Sequence, residues 1–237
     1  MDKNMLEILG VKINSLTQDE VLQRVESFLE DGNQHYIVTP NPEFLVKAQK
    51  DREFMDILNR ADLAVPDGIG LIFASWFFGK RLKKRITGVD LMEAICEKAS
   101  QKKWQVFLFG TKKAVDKKTA ENLKQKYFGL DINCFDESYF KKRLSVQPAI
   151  IFVALGSGAQ ERWIVNNIKK IPCIKLAMGV GGSFDFISGQ ILRAPKVLRV
   201  IGLEWFWRLC CEPKRIFRIF NAVIKFPLLI LKYRIKV

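Results

Sequence analysis

The chain has 237 residues, of which 49% are hydrophobic, and it carries a net charge of +14. This length fits one large domain, or one domain with an appendage, and the hydrophobic content excludes wholesale disorder. The five cysteines form no C-x-x-C pair and His35 is the only histidine, so neither a zinc site nor a disulfide framework is expected. Reduced thiols are typical of cytosolic proteins. No signal-peptide pattern and no run of about 20 apolar residues is found, so we expect no membrane span.

The first two-thirds of the chain alternates apolar runs with amphipathic stretches. Strands are predicted at 6–13, 35–41, 63–68 (a short strand and turn), 104–110, 149–156 and 173–182. Helices are predicted at 17–30, where Thr17 and Glu20 form a capping box, and at 42–60, 88–101, from 111 to about 127, and 159–171. Continuous apolar strands separated by helices predict an α/β fold, a Rossmann-like and mostly parallel sheet with helices on both faces.

Polar residues and glycines follow several of these strands, and parallel sheets bind ligands outside the carboxyl ends of their strands. The residues expected at that edge are Thr39, Asn41, Asp67, Gly110, Thr111, 156–160 and 179–185. Asp67 lies in the segment LAVPDGIG (63–70). A Pro-Asp-Gly turn ends many strands for purely local reasons. At this edge, however, its carboxylate is a candidate for chemistry.

The C-terminal part of the chain is strongly basic. From Arg193 onward there are eleven Lys or Arg residues against two Glu. We therefore divide the chain into a catalytic α/β domain at 1–195 and a basic amphipathic helical appendage at 196–237. Beyond Pro213, Arg215, Arg218 and Lys225 are spaced by three and seven and share one helical face. The other side holds the apolar residues Ile216, Phe220, Val223 and Leu228.

This appendage is typical of a segment that lies on an anionic membrane surface. The alternative is a C-terminal helix that packs on the core and turns its basic face to water. Nucleic acid is not an expected partner, because no RRM, KH or helix-turn-helix signature accompanies the basic patch.

Several motifs of nucleotide-binding and hydrolytic enzymes are absent. The chain has no G-x-x-x-x-G-K-[ST] and no G-x-S-x-G, and GVGG (179–182) is not G-x-G-x-x-G. It also has no Asp-x-Asp, the pair with which many sugar-nucleotide transferases hold Mg²⁺. Two strands instead end in glycine before a helix, in FLFGT and VALGSGAQE, where free N–H groups suit a phosphate, although each is also an ordinary turn. Arg85, in KKRITG, is a candidate phosphate clamp or part of a solvated charge run.

Seven segments, in order and spacing from about Leu6 to Arg218, resemble the WecG/TagA/CpsF family, glycosyltransferase family 26. They are IVTPNPEF (37–44), ADLAVPDGIG (61–70), RITGVDLM (85–92), VFLFG (106–110), FVALGSGAQERW (152–163), AMGVGGSFDFISGQILRAP (177–195) and GLEWFWRLCCEPKR (202–215). The resemblance implies a bacterial enzyme that transfers a sugar from a UDP-sugar to a lipid-linked acceptor. In the best-known members this sugar is N-acetylmannosamine, or its uronic acid, and the acceptor is GlcNAc-diphosphoundecaprenol.

The resemblance further implies a metal-independent, inverting mechanism without a cofactor, in agreement with the missing Asp-x-Asp. Asp67 is then the general base that takes the proton from the acceptor hydroxyl. Thr39 and Asn41 match the family's T-P-N positions beside the transferred sugar. Gln160 matches the Gln of its L-G-x-x-x-Q-E motif, and Arg85 matches the Arg before the G-x-D-L segment.

A C-terminal arginine set in the family closes over the site and meets the diphosphate, replacing the charge of a metal ion. The G-V-G-G-x-F-D segment is assigned to the nucleotide pocket. The implied substrate-binding residues are Gly110, Gly156, Gly181, Gly182, Asp185, Arg208, Arg215 and Arg218. The chain departs from the family in VALGSGAQERW, where many members have Pro-Lys before the Gln, so the sugar and phosphate contacts there stay open.

The resemblance, together with the basic appendage, thus implies a peripheral enzyme on the cytoplasmic face of a bacterial membrane that takes part in teichoic acid linkage-unit or other cell-surface polysaccharide synthesis. UDP-N-acetylmannosamine is the preferred donor, and another UDP-hexose or a uronic acid donor for a capsule or exopolysaccharide is the alternative. The sequence leaves the oligomeric state open, a homo-oligomer included. A nicotinamide-dependent enzyme and a non-enzymatic membrane-surface protein are the rival interpretations.

Overall fold

The structure is a computed structural model that describes residues 4–79, 81–110, 112–136 and 148–235. It begins with an antiparallel hairpin of Met5–Ile8 (β1) and Val11–Asn14 (β2). The single strand predicted at 6–13 is therefore wrong. Leu9 and Gly10 both have positive φ, 51° and 79°, and turn the chain back on itself in two residues.

Six parallel strands form the central sheet, in the order β4-β3-β8-β7-β5-β6. They are His35–Val38 (β3), Leu63–Ala64 (β4), Gln105–Gly110 (β5), Ile132–Cys134 (β6), Ala149–Ala154 (β7) and Ile174–Gly179 (β8). The predicted Rossmann-like α/β fold is confirmed. β6 was not predicted, because three residues are too few for a periodic pattern.

The first helices begin at side-chain caps. Gln18–Glu30 (α1) has the predicted capping box, in which Thr17 N–H donates to Glu20 Oε2 at 2.6 Å and Glu20 N–H donates to Thr17 Oγ1 at 3.3 Å. The single helix predicted at 42–60 is instead two helices, Pro42–Ala48 (α2) and Arg52–Asn59 (α3). The second helix begins after Asp51, whose carboxylate accepts a hydrogen bond from Phe54 N–H at 3.0 Å and caps α3.

Ile69–Phe77 (α4) follows the Pro-Asp-Gly turn directly and was not predicted, because it is apolar on all sides and shows no helical alternation. The other helices are Gly88–Lys102 (α5), Lys113–Lys126 (α6), Ala159–Asn167 (α7), Ser183–Ile187 (α8), Lys196–Val200 (α9), Glu204–Cys211 (α10), Ile216–Phe220 (α11) and Phe226–Ile235 (α12). The helix predicted at 159–171 ends as an α-helix at Asn167, followed by a 3₁₀ turn, and a π-helical turn at Asn221–Lys225 joins α11 to α12.

Helices cover both faces of the sheet, as predicted. Along β7, Ile150 and Phe152 point into a core with α1, α5, α6 and α8, whereas Ile151 and Val153 point into a core with α7. On this second side, a further core joins the hairpin to α2, α3, α4 and α12. The last helix therefore packs on the sheet domain beside α2 and α4. Within the described residues, no helix combines the length and the apolarity needed to cross a membrane.

Candidate active site

Four neighbouring strands, β4, β3, β8 and β7, end at one edge of the sheet, and the loops that follow them surround a cavity of about 770 Å³. C-terminal residues close its other side. The lining includes twelve of the thirteen predicted site residues, namely Thr39, Asn41, Asp67, Arg85, Gly156, Gln160, Gly181, Gly182, Asp185, Arg208, Arg215 and Arg218. The sheet edge and the C-terminal segment thus form one concave site.

Gly110 is the predicted residue that does not line this cavity. It ends β5, which lies beyond β7 in the sheet, and its N–H donates to Asp116 Oδ2 at 2.9 Å within its own strand–helix connection. Thr111, which was also expected at this edge, lies outside the described residues.

The turn that carries Asp67 is built against the segment TPNP (39–42). The Asp67 N–H donates to the Pro40 carbonyl at 2.8 Å. Gly68 has φ +104°, and a Cβ on Gly70 would lie 2.8 Å from Pro42 Cγ. Both glycines are therefore required, one for its backbone angle and one for close packing. The turn is held by tertiary contacts and fixes Asp67 beside Thr39 and Asn41.

The Asp67 carboxylate lies where several polar groups meet. Its Oδ2 accepts weakly from Gly88 N–H at 3.4 Å. A Cβ on Gly88 would lie 3.7 Å from Thr39 Oγ1, 3.8 Å from Ser183 Oγ and 3.9 Å from Asp67 Oδ2. Burial raises the pKa of Asp67 to about 6, although the positive charge of Arg85 opposes this rise. A carboxyl group with this pKa is suited to accept a proton near neutral pH.

Thr39 and Asn41 also stabilise the fold. The Thr39 hydroxyl is buried and lies 3.5 Å from the Gly179 carbonyl, which connects the ends of β3 and β8. Asn41 Oδ1 accepts from Phe44 N–H at 3.0 Å and caps α2. Among the described residues, the Asn41 Nδ2 has no hydrogen-bond partner, and Asn41 lines the cavity. The helix cap thus fixes the Asn41 side chain through its Oδ1 and leaves the Nδ2 group available to a ligand.

Gln160 organises the loop after β8. Its Oε1 accepts from Gly181 N–H at 2.9 Å, and its Nε2 donates to Glu161 Oε1 at 2.6 Å. Glu161 in turn accepts from Gly158 N–H at 2.7 Å. Both side chains are buried, and burial raises the pKa of Glu161. This network shapes the loop around the cavity, and a direct contact of Gln160 with a sugar stays a prediction.

Arg208 reaches from α10 across the mouth of the cavity. Its guanidinium group lies 4.4 Å from the centre of the Phe186 ring, and a Cβ on Gly182 would lie 2.6 Å from its Nη2. A side chain at position 182 would therefore displace the Arg208 guanidinium group. Burial lowers the pKa of Arg208. Its Nε is buried and has no hydrogen-bond partner within the described parts of the chain, and its Nη2 lies 3.4 Å from Glu212 Oε2. Such donors suit an anion.

The remaining cavity arginines are also paired with carboxylates. Arg85 Nη2 lies 3.0 Å from Glu204 Oε2, and Arg215 Nε lies 2.7 Å from Glu212 Oε2. The Arg218 Nε lies 2.9 Å from each oxygen of Glu43. Two of these pairs join the C-terminal segment to the sheet domain, since Glu204 belongs to α10 and Glu43 belongs to α2. The described residues include no cluster of three or more His, Cys, Asp or Glu side chains that could hold a metal ion.

Comparisons with known proteins identify the family of this chain. The family "Glycosyl transferase WecG/TagA/CpsF family" matches residues 6–237. The chain belongs to this family. Three relatives share the name N-acetylglucosaminyldiphosphoundecaprenol N-acetyl-beta-D-mannosaminyltransferase. The chain is 35% identical to that of Bacillus spizizenii (87% of this chain, 82% of the relative), 34% to that of Bacillus subtilis (90% and 88%) and 31% to that of a Staphylococcus aureus strain (90% and 87%).

In this member of the WecG/TagA/CpsF family, four further cavity-side residues were not predicted. They are Glu43, Arg193, Glu204 and Glu212. Arg193 joins the network through Glu204, whose Oε1 lies 3.8 Å from its Nε, and is also paired with Asp90 at 2.7 Å. Glu43 was visible in the motif TPNPEF, but its partner Arg218 is 175 residues away in the chain. No local pattern reveals such a pair.

Proposed function

We propose that this glycosyltransferase moves N-acetylmannosamine from a UDP-sugar to the GlcNAc unit of a diphosphoundecaprenol-linked acceptor. Relatives with that activity in their name align with about nine-tenths of the chain. The observation that carries the proposal is the shared cavity, whose lining combines a partly buried carboxylate of raised pKa with four arginines. A base and an anion grip are the two parts that sugar transfer from a nucleoside diphosphate requires.

In the proposed reaction, an acceptor hydroxyl attacks the anomeric carbon of the donor sugar from the side opposite UDP. Asp67 takes the proton of that hydroxyl as the new C–O bond forms. The bond between the anomeric carbon and the diphosphate oxygen breaks, and UDP leaves with the electron pair. A pKa of about 6 keeps Asp67 ionised at neutral pH and close to the operating pH, as a general base requires.

The negative charge that develops on UDP is stabilised by arginines in this proposal, without a metal ion. Arg208 Nε is buried and has no hydrogen-bond partner within the described residues, while Glu212 Oε2 orients Arg208 Nη2 at 3.4 Å and Arg215 Nε at 2.7 Å. The planar guanidinium fork binds two phosphate oxygens at once. Arg85 and Arg218 lie in the same lining, where Glu204 and Glu43 orient them, and complete the positive wall.

Thr39 and Asn41 are assigned to the transferred sugar, because both line the cavity next to the Asp67 turn. Gly156, Gly181, Gly182 and Asp185 are assigned to the nucleotide. The Gly181 N–H is already bonded to Gln160, so this glycine contributes its shape, with φ +53°, more than a free donor.

We further propose that the enzyme lies on the cytoplasmic face of the membrane, where its lipid-linked acceptor is found. Phe217 is 79% exposed and Leu228 is 59% exposed, and Ile216, Phe220 and Val223 are exposed as well. Exposed apolar groups in a basic segment suit an anionic lipid surface. The alternative, a helix packed on the core, holds for one side of α12, where Phe226 and Ile230 are buried.

A donor screen tests the proposed function. The purified protein is mixed with a GlcNAc-diphospho-lipid of short chain and a panel of UDP-sugars in the presence of EDTA, and the products are identified by mass spectrometry. We expect one N-acetylmannosamine added, in EDTA, with UDP released. Another hexose or a uronic acid in the product would show that the proposed donor is wrong. Activity that requires a divalent metal ion would show that the proposed metal-independent mechanism is wrong.

A UDP titration by calorimetry separates the remaining outcomes. Saturable UDP binding without transfer would point to another acceptor. The absence of both UDP binding and transfer would overturn the transferase proposal and favour a non-enzymatic membrane-surface protein.

A further inference from the structure

The cavity has an apolar extension that the sugar, the nucleotide and the diphosphate leave unused. Beyond the polar groups at the sheet edge, its lining continues along α4 with Ile69, Phe73 and Phe77 and along the C-terminal helices with Ile219, Val223 and Leu231. We call these six residues the apolar slot. Charged groups are absent from this set, and the slot is continuous with the Asp67 site.

The direction of the slot follows from two contacts between α4 and α12. At the beginning of α4, a Cβ on Gly70 would lie 3.8 Å from Phe226 Cε1. Just after its end, the Phe78 ring lies 6.0 Å from the Tyr233 ring. The two helices therefore run side by side in the same direction. Eight residues of α-helix span about 12 Å, so the slot has about that length.

Each end of the slot has a distinct chemistry. At the inner end lie Asp67, directly before α4, and Arg218, in α11. At the outer end the side chains open to solvent, with Phe77 48% exposed and Leu231 51% exposed. A ligand that extends from the base to the surface thus meets a carboxylate, then guanidinium groups, and then two apolar walls.

We infer that the apolar slot binds the first part of the polyprenyl chain of the acceptor, directly after its diphosphate. This inference rests on the proposed function, whose acceptor has a sugar, a diphosphate and a polyprenyl chain in the same order as the groups of the cavity. The arginines match the charge of the diphosphate, and burial of the chain between α4 and α12 removes apolar surface from water on both partners. The open outer end lets the rest of the chain continue into the bilayer.

Two ligands that dissolve without a membrane test the slot directly. Geranyl diphosphate carries a short polyprenyl chain, and inorganic diphosphate carries none. We expect the full-length protein to bind geranyl diphosphate at least about tenfold more tightly than inorganic diphosphate in calorimetry without vesicles. Equal affinities would overturn the inference.

Matched double variants distinguish the slot from general surface hydrophobicity. Phe73→Ser/Leu231→Ser removes one aromatic residue and one leucine that line the slot, whereas Trp76→Ser/Leu228→Ser removes the same residue classes from α4 and α12 outside the lining. All four side chains are exposed, so both variants should keep the wild-type unfolding temperature. We expect the first variant to lose most of the preference for geranyl diphosphate and the second to retain it.

An unchanged preference in the slot variant, or an equal loss in both variants, would refute the slot. Transfer assays separate this failure from that of the proposed function. If the wild type prefers geranyl diphosphate but transfers no sugar to any acceptor, the slot stands and the proposed reaction fails. If it transfers sugar but shows no preference for the chain, the reaction stands and the slot fails.

Discussion

The two sides of the cavity are held together by different forces. On the sheet side, Asp67 is fixed by a backbone hydrogen bond to Pro40 and by glycines packed against Pro42. On the other side, ion pairs between the sheet domain and the C-terminal segment, Arg85 with Glu204 and Glu43 with Arg218, hold the arginines in place. The proposed base is thus fixed by the backbone of the sheet edge, whereas the proposed diphosphate site depends on side-chain pairs that join the two sides.

The largest expected effect comes from the sheet side. Asp67→Asn removes the base without changing its shape, so kcat should fall by about 10²–10⁴ in the sugar-transfer assay. Asp56→Asn, an exposed residue of α3, is the control and should keep wild-type turnover. Near-normal kcat in Asp67→Asn would remove Asp67 from the mechanism.

The same variant makes a prediction about stability. Since burial raises the pKa of Asp67 in the folded state to about 6, its contribution to folding is complete below about pH 4 and is lost as the pH rises through 6. Asn cannot ionise. Asp67→Asn should therefore unfold at the same or a higher temperature than the wild type at pH 7.5, in a thermal melt followed by circular dichroism. A clearly lower unfolding temperature would show that the carboxylate stabilises the fold.

The next effect tests the C-terminal side. Arg208→Gln removes the buried donors Nε and Nη2 and should lower kcat/KM by about 10²-fold. Arg208→Lys should restore little, because an ammonium group lacks the planar fork. Lys214→Gln removes one charge from an exposed position nearby and should change kcat/KM less than twofold. Equal losses in Arg208→Gln and Lys214→Gln would mean that only net charge matters.

A smaller effect is expected from the pair that joins the two sides. Glu43→Gln weakens the hold on Arg218, so KM for the acceptor should rise about three- to fivefold while kcat changes little. Glu53→Gln breaks a pair of similar length, 2.9 Å to Arg162, and should leave KM unchanged. In a double-mutant cycle, Arg218→Gln should add little to Glu43→Gln for acceptor binding. Full additivity would show that the pair does not act as a unit.

The smallest effect lies at the opposite end of β3, away from the cavity. Burial lowers the pKa of His35, but its hydrogen bonds to Asp62 and Asp31 outweigh burial and raise it. The charged imidazole, paired with these two carboxylates, therefore stabilises the fold fully below about pH 6.5. This stabilisation is lost as the pH rises through the raised pKa of His35. His35→Gln should lower the unfolding temperature at pH 6 by up to about 4 °C, less at pH 9, with unchanged turnover. A larger loss at pH 9 would contradict this assignment.

Much of the sheet side was predictable from the sequence. Strands such as 149–154 are buried on both faces and therefore read as unbroken apolar runs, which only a covered parallel sheet explains. Because parallel strands end at the same edge of a sheet, the polar residues that follow these strands are expected at that one edge. α4 could not be predicted in the same way, since its apolar residues divide between a buried side, with Leu71 and Ala74, and an exposed side, with Phe73 and Trp76.

The sequence by itself determined which side chains are available for chemistry: the carboxylate of the Pro-Asp-Gly turn, the polar ends of the strands and a basic, apolar C-terminal segment. Only the tertiary structure decided which of them meet. Strand order placed Asp67, Thr39, Gln160 and Gly181 on neighbouring strand ends and left Gly110 outside, because β5 lies beyond β7. Pairs such as Arg85 with Glu204 span 119 residues. Such contacts depend on how whole elements pack, and no local pattern encodes that packing.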